Sequence, residues 1–299
     1  MAFETERMRL PAAASGRAER RAALFRENPL EMTERWVLGI AWALSPKRIR
    51  GLPNLLNLCF DEFLAPDYAL PDPERAADEP PGLAGVAHDL SLSTLIAAYQ
   101  RGLYPFAHIA PLKWWSPPMR SVLFFNELHV AKRLRRQMRQ KHYTVTFDRD
   151  FDHVIAACAG QRDGRWHLTW ITPRIMRTYA ELHDRGYAHS FEVWNERGEL
   201  AGGGYGVAVG NAFVTESQFS REPNTSKMGF AVLNWHLSRW GFDFNDGKLM
   251  TPTCHDMGFR EIPRRDYLTR LAMAARLKGK SGRWQTETGL ATVADWQPG

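Results

Sequence analysis

Residues 190–219 read SFEVWNERGELAGGGYGVAVGNAFVTESQF. Three strands are expected here: Ser190–Trp194, a glycine-rich run ending at Val209, and Ala212–Phe219. Turns at 195–198 and Gly210-Asn211 separate them. Upstream, Thr172-Pro173 is an N-cap and first-turn pair opening a helix that runs to Gly186. Downstream, Phe230, Leu233, Leu237 and Trp240 share one face of a helix ending at Gly241, and Phe242–Asp246 is a short strand. Nearer the N-terminus, Ser91 caps a helix with Leu92, Leu95, Ile96 and Tyr99 at helical spacing, and Gly102 stops it. A second helix is predicted over 128–141 and a strand over Tyr143–Phe147. Helix, strand, hairpin, helix, strand is an α+β order with mostly antiparallel neighbours, not a regular βαβ array.

Composition bounds the rest. The 299 residues carry 39 Lys and Arg against 33 Asp and Glu, a net charge of +6. Hydrophobic residues make up 44% and charged residues 24%, which excludes wholesale disorder and collagen-like repeats. The longest apolar stretches, Trp36–Leu44 and Leu55–Leu58, fall far short of the ~20 residues that span a bilayer. No secretory signal is read, and three scattered cysteines fit a reducing compartment, so a cytoplasmic location is expected.

Four zones follow. Residues 1–81 form an N-terminal extension, with a helical Arg17–Arg26, the basic run Lys47-Arg48-Ile49-Arg50 and a proline-rich linker, Pro71–Pro81. Its helices either lie on a membrane surface or pack on the main body. Residues 82–142 are read as a small N-terminal domain, 143–275 as the main domain and 276–299 as a flexible polar tail.

Several motifs have bland readings. Gly202-Gly203-Gly204-Tyr205-Gly206 lacks the GK[ST] of a phosphate loop and opens no helix, so it reads as a bulge or close backbone approach. Cys254-His255-Asp256 lacks further ligands at metal spacing, and no metal is expected. Lys132, Arg133, Arg135, Arg136, Arg139 and Lys141 are six cations with no acid among them. At helical spacing Lys132, Arg135, Arg136 and Arg139 share a face, which is either solvated or binds a polyanion. Glu216 and Asp246 lie near the ends of strands among aromatics, where a carboxylate needs a partner: an ion pair, a cationic substrate or a proton to manage.

Taken together, several stretches resemble the leucyl/phenylalanyl-tRNA–protein transferase family. They include Ala98-Tyr-Gln-Arg-Gly-Leu-Tyr-Pro-Phe106, Trp114-Trp-Ser-Pro117, Thr169-Trp-Ile-Thr172, Gly186-Tyr-Ala-His-Ser-Phe-Glu-Val-Trp194, Glu216-Ser217 with Phe219-Ser-Arg221, and Glu261-Ile-Pro-Arg-Arg-Asp-Tyr267. Their order follows the family over about residues 82–270. The resemblance implies a fold like that of the GNAT acyltransferases and transfer of Leu or Phe from aminoacyl-tRNA to an N-terminal Arg or Lys. That transfer marks the acceptor protein for degradation. It implies no cofactor, with aminoacyl-tRNA as co-substrate, and a monomer is favoured.

By position, the resemblance places Phe106 and Trp170 at the aminoacyl-adenosine end. It places Glu216, Asp246 and Lys248 in the catalytic centre, and Lys132, Arg135, Arg136 and Arg139 on a tRNA-binding helix. Val209, Phe213, Phe230 and Leu233 become candidates for the wall that receives the Leu or Phe side chain. The chain departs from the family at Lys248, where Gln is usual, at Gln218, where Met is usual, and at Phe106, where Trp is usual. A charged Lys248 only donates hydrogen bonds and would repel a cationic acceptor. Two other readings stay open: transfer to a different amine, or binding of tRNA or peptide without catalysis.

Overall fold

The computed structural model describes residues 12–46, 48–140, 142–161 and 167–297, so Lys47 and Lys141 lie outside the described residues. The extension forms three helices, α1 (Ala12–Leu24), α2 (Pro29–Ala43) and α3 (Leu52–Leu64). Asn28 caps α2 in a capping box with Glu31, and Pro29 occupies its first turn. A small sheet follows, built from β1 (Leu83–Val86), β2 (Tyr104–Phe106) and β3 (Lys113–Trp115), with α4 (Leu92–Gln100) between the first two strands.

The body continues through β4 (Met119–Leu123), α5 (Lys132–Arg139), β5 (Tyr143–Phe147), α6 (Phe151–Ala159) and α7 (Pro173–Asp184). Then come β6 (Ala188–Asn195), β7 (Leu200–Val209), β8 (Ala212–Ser220), α8 (Thr225–Arg239) and β9 (Phe244–Lys248). The remaining elements are α9 (Pro252–Asp256), β10 (Arg260–Pro263), α10 (Arg264–Ala274) and α11 (Leu290–Asp295). Seven strands form one sheet in the order β10-β4-β9-β8-β7-β6-β5. Every neighbouring pair is antiparallel except β8 and β9, which run parallel. The architecture is α+β.

The expected caps are present. The side chains of Ser91 and Thr172 accept hydrogen bonds from the backbone N–H of Thr94 and Ile175. Two apolar layers sandwich the sheet. One holds Tyr99, Val154, Tyr179, Tyr205 and Val214; the other, under α8, holds Phe191, Phe213, Phe230 and Leu233.

Three boundaries need correction. β4 pairs with β9 and β10, so the small domain ends near 116–118 rather than at 142. The basic helix spans Lys132–Arg139 rather than 128–141, because the His129 N–H is bonded across to the Met257 carbonyl. Residues 276–297 are no loose tail. Trp284 is fully buried and stacks on His189 with ring centroids 3.7 Å apart, and Leu290, Val293 and Ala294 join the core beneath α5. Their few apolar side chains sit among polar neighbours, so composition hid them.

Candidate functional site

The site begins with a register shift. Tyr205 pairs with Ser217 and Gly206 with Thr215, leaving Glu216 without an opposite residue on β7. Such a bulge re-aims a side chain. A Cβ at Gly206 would lie 2.4 Å from the Val214 carbonyl oxygen, so only glycine permits the close approach there. The β8–β9 pairing also ends at Val214 and Asp246, although both strands continue. Glu216 and Lys248 extend into this region.

Lys248 Nζ lies 2.8 Å from Glu216 Oε2; the carboxylate side chain is wholly buried and the lysine 12% exposed. Tyr99 donates its hydroxyl to Glu216 Oε1 at 2.7 Å and Tyr179 donates to Oε2 at 3.3 Å, and the two hydroxyls also touch each other. Burial first, and the Glu216 charge second, push both phenols well above their ordinary range, so they stay protonated donors. The Lys248 ammonium stands 5.1 Å from the Tyr104 ring centre and 5.9 Å from that of Trp170. Phe106 meets Trp170 at 5.8 Å. Lys248 therefore reaches the wall that Phe106 and Trp170 form.

Its backbone is unusual too. Lys248 has φ +65°, a conformation L-residues rarely adopt. Asp246 holds it there: Oδ1 accepts the Lys248 N–H at 2.7 Å. The other contacts of Asp246 come from Arg120, whose Nε and Nη2 reach it at 2.8–3.0 Å, and from the Tyr267 hydroxyl at 2.8 Å. Arg120 is 1% exposed and Asp246 is fully buried. Burial, the largest single influence, would lower the guanidinium pKa, but the charge and hydrogen bonds of Asp246, with Tyr267 and Tyr104 beside them, together raise it. Both Asp246 oxygens are thus engaged inside the protein.

Sequence reasoning missed Arg120, a lone cation in an otherwise ordinary strand. It passed over Tyr99 and Tyr104 as well, although both stand inside a quoted family stretch, Ala98–Phe106.

The expected acyl wall is not gathered at Trp170. Val209 and Ala212 close the β7–β8 hairpin, four residues and about 13 Å along the strand from Glu216. Phe213, Phe230 and Leu233 are 1–3% exposed in the layer under α8, across the sheet from Tyr99 and Tyr179. Phe230 is linked to the site only from behind: it stacks on Phe259, which lies against Gly247.

The basic helix is likewise divided. Arg135 donates to the carbonyls of Ala294 and Trp296 at 2.7 and 2.6 Å, and Arg139 pairs with Asp295 at 2.7 Å. Lys132, Arg133 and Arg136 are exposed, and so is Arg139 despite its pairing. Arg135 therefore ties the C-terminal helix to α5, which spacing alone does not reveal, while the Arg139–Asp295 pair is exposed. Cys254-His255-Asp256 forms a short helix in which Asp256 stands 3.6 Å from Lys227. No grouping of three or more His, Cys, Asp or Glu side chains that could hold a metal occurs among the described residues.

Comparison with known proteins adds the following. The family described as leucyl/phenylalanyl-tRNA protein transferase matches residues 122–272, and its N-terminal domain matches 88–118. A leucyl/phenylalanyl-tRNA–protein transferase of Azotobacter vinelandii is 48% identical over 200 residues, 67% of this chain and 88% of that protein. Relatives of the same description from Pseudomonas syringae pv. syringae and Pseudomonas fluorescens Pf0-1 are 48% and 49% identical. Each of these two alignments covers 67% of this chain, with 88% and 89% of the respective relatives. Among solved structures, L-PGS from Bacillus licheniformis aligns with a TM-score of 0.32 and 9% identity, over 52% of this chain and 50% of that one. That similarity is too slight to inform the fold.

Proposed function

The chain belongs to the leucyl/phenylalanyl-tRNA–protein transferase family, an aminoacyltransferase that moves an amino acid from aminoacyl-tRNA to a protein N-terminus, and we propose that it does so at Lys248. The observation that carries this reading is the Lys248 ammonium held between Glu216 and the Tyr104 and Trp170 rings. Leu and Phe are the proposed acyl groups, and proteins beginning with Arg or Lys the proposed acceptors, marked in this way for degradation.

The chemistry balances without a cofactor, because the ester is already activated. The neutral α-amine attacks the ester carbonyl, forming a C–N bond and an alkoxide. The intermediate collapses, the bond to the ribose 3′-oxygen breaks, and that oxygen takes the proton the amine gives up. Lys248 has three N–H donors and commits one to Glu216; the others can meet the alkoxide. Tyr99 and Tyr179 hold Glu216, and Asp246 with Arg120 holds the Lys248 backbone, so the donor is positioned before reaction.

Because the attacking group must be neutral and a free α-amine has a pKa of about 7.7–8.0, kcat/KM for a peptide acceptor should rise with pH and level off above about 8. A flat profile from pH 6 to 9 would place another step in control.

The exposed cations Lys132, Arg133 and Arg136 are proposed to contact tRNA phosphates. Reversing all three to Glu should weaken binding of whole tRNA and flatten its salt dependence, by roughly 0.7–0.9 in log–log slope per lost phosphate contact. An unchanged slope would remove this face from the account. A GNAT-like relationship is also proposed; it is supported by the single parallel pair, β8–β9, in an otherwise antiparallel sheet. All the side chains named come from one chain, so a monomer suffices. No helix among the described residues is long and apolar enough to cross a membrane, and the cytoplasm, where aminoacyl-tRNA is found, is the proposed location.

One observation favours a variation on this reading. Glu216, the acid suited to a cationic acceptor, already has Lys248 as its cation. The preference for Arg and Lys acceptors should therefore be blunted, and neutral N-termini should compete.

A further inference from the structure

The N-terminal extension lies outside both matched segments, which begin at residue 88. It nevertheless packs closely beside the site. A Cβ on Gly39 of α2 would fall 2.7 Å from the His108 carbonyl oxygen, and Glu62 of α3 meets His88 at 2.7 Å. Between extension and body lies a cavity of 550 Å³. That is within the ~300–1,000 Å³ usual for small-ligand sites. Trp42 and Arg48 line it from the extension; Tyr104, Phe106, His108 and Leu249 line it from the body. Two of these, Tyr104 and Phe106, also border Lys248 and Trp170, and Leu249 follows Lys248 directly in the chain.

The lining has a definite chemistry. Rings succeed one another outward from the site: Trp170 to Phe106 at 5.8 Å, Phe106 to His108 at 4.8 Å, His108 to Trp42 at 4.7 Å. Arg48 ends the row, stacked 3.7 Å over Trp42. Burial first, then the Arg48 charge, push His108 down to about 4, so it is a neutral ring at cellular pH. The second cation of the lining, Lys113, is committed to the carbonyls of Ile109 and Pro111. Among the described residues Arg48 has no carboxylate partner within ion-pair distance. One acid, Glu79, lines the cavity. Aromatic rings in series, packed edge to face at His108 and closed by an unpaired guanidinium, suit flat heterocycles joined by phosphates: bases stack on rings and arginine grips phosphate.

We propose that Trp42 and Arg48 bind the unpaired nucleotides that precede the terminal adenosine of the tRNA, making the extension a clamp on the RNA 3′ end. This rests on the reading that aminoacyl-tRNA is the donor and Phe106 and Trp170 hold its last nucleoside. The clamp acts on the strand beyond that nucleoside, and it is separate from the exposed face of α5.

The test uses the full chain and uncharged RNA. A fluorescein-labelled ACCA oligoribonucleotide is titrated by anisotropy, with free adenosine as a competitor, on the wild type, Arg48→Gln and Trp42→Ala. Arg48→Gln changes an exposed side chain, so a folding failure of Trp42→Ala does not decide the matter. The clamp predicts that Arg48→Gln weakens ACCA binding about tenfold and leaves competition by adenosine unchanged, with Trp42→Ala acting in the same direction. Wild-type protein that fails to bind ACCA, variants within twofold of it, or parallel loss of adenosine binding would each overturn the proposal. So would unchanged ACCA binding with a raised KM for the acceptor peptide, which would give the cavity to the acceptor. No transfer step enters the ACCA titration itself. A protein that grips ACCA through Arg48 yet transfers no amino acid would refute the proposed function and leave the clamp standing.

Discussion

Glu216→Ala should lower kcat/KM for transfer from Leu- or Phe-tRNA by at least ~10²-fold, the scale of losing one preorganised donor at a developing oxyanion. The same change should destabilise the fold. Lys248 Nζ sits 2.8 Å from a carboxylate that is wholly buried, and removing one partner of such a pair costs about 3–5 kcal/mol because the other charge is left uncompensated. Tyr99 and Tyr179 would also lose the acceptor that both hydroxyls share. Urea unfolding and single-turnover transfer check the two effects separately. A double variant, Glu216→Ala with Lys248→Met, removes both charges and should regain much of the stability without regaining transfer. Simple addition of the two single losses would show that the pair is not coupled.

Arg120→Ala should be nearly as damaging to stability, by about 3–5 kcal/mol, for the same reason on the other side of Lys248. Asp246 would keep only the Tyr267 hydroxyl and the Lys248 N–H. Arg120 also lies 5.0 Å from the Tyr104 ring centre and 4.4 Å from that of Tyr267, so packing is lost with the charge. Arg120→Lys should rescue only part of the loss, since an ammonium cannot reproduce the forked contact. Because Asp246 fixes the unusual Lys248 backbone, residual transfer in a folded Arg120→Lys protein should show a reduced kcat with KM for tRNA little altered. A raised KM for tRNA with normal kcat would instead put Arg120 in RNA binding. Full stability of Arg120→Ala would mean that the buried pair is not what orders β9.

Helix periodicity, capping residues and turn glycines made α4, α7 and the β6–β7–β8 hairpins legible, because those signals are local. Glu216 and Asp246 stand out in the sequence as carboxylates among aromatics; the rest of the site was legible only through family resemblance, and then unevenly. Glu216 and Lys248 meet because a one-residue bulge and the end of the β8–β9 ladder bring them together, and no periodicity encodes either event. Asp246 was read as a catalytic acid; its partner Arg120 lies 126 positions away in the chain, so its confinement could not be seen. Phe213, Phe230 and Leu233 are apolar residues at plausible positions, but which face of the sheet each serves is a tertiary property. Arg135 and Arg139 show the same limit: a helix face free of acids looked available, yet Asp295 and the carbonyls of Ala294 and Trp296 occupy two of its cations. Trp284 was lost among glycines and lysines although it is wholly buried.

As the internal cation of Glu216, Lys248 should weaken recognition of cationic acceptors. The direct measurement is kcat/KM of wild type and Lys248→Gln on peptides that differ only in a first residue of Arg, Lys or Ala. Lys248→Gln should raise the preference for Arg and Lys over Ala about tenfold, which is ~1.4 kcal/mol of discrimination. An unchanged or reduced ratio in a folded, active Lys248→Gln protein would contradict it.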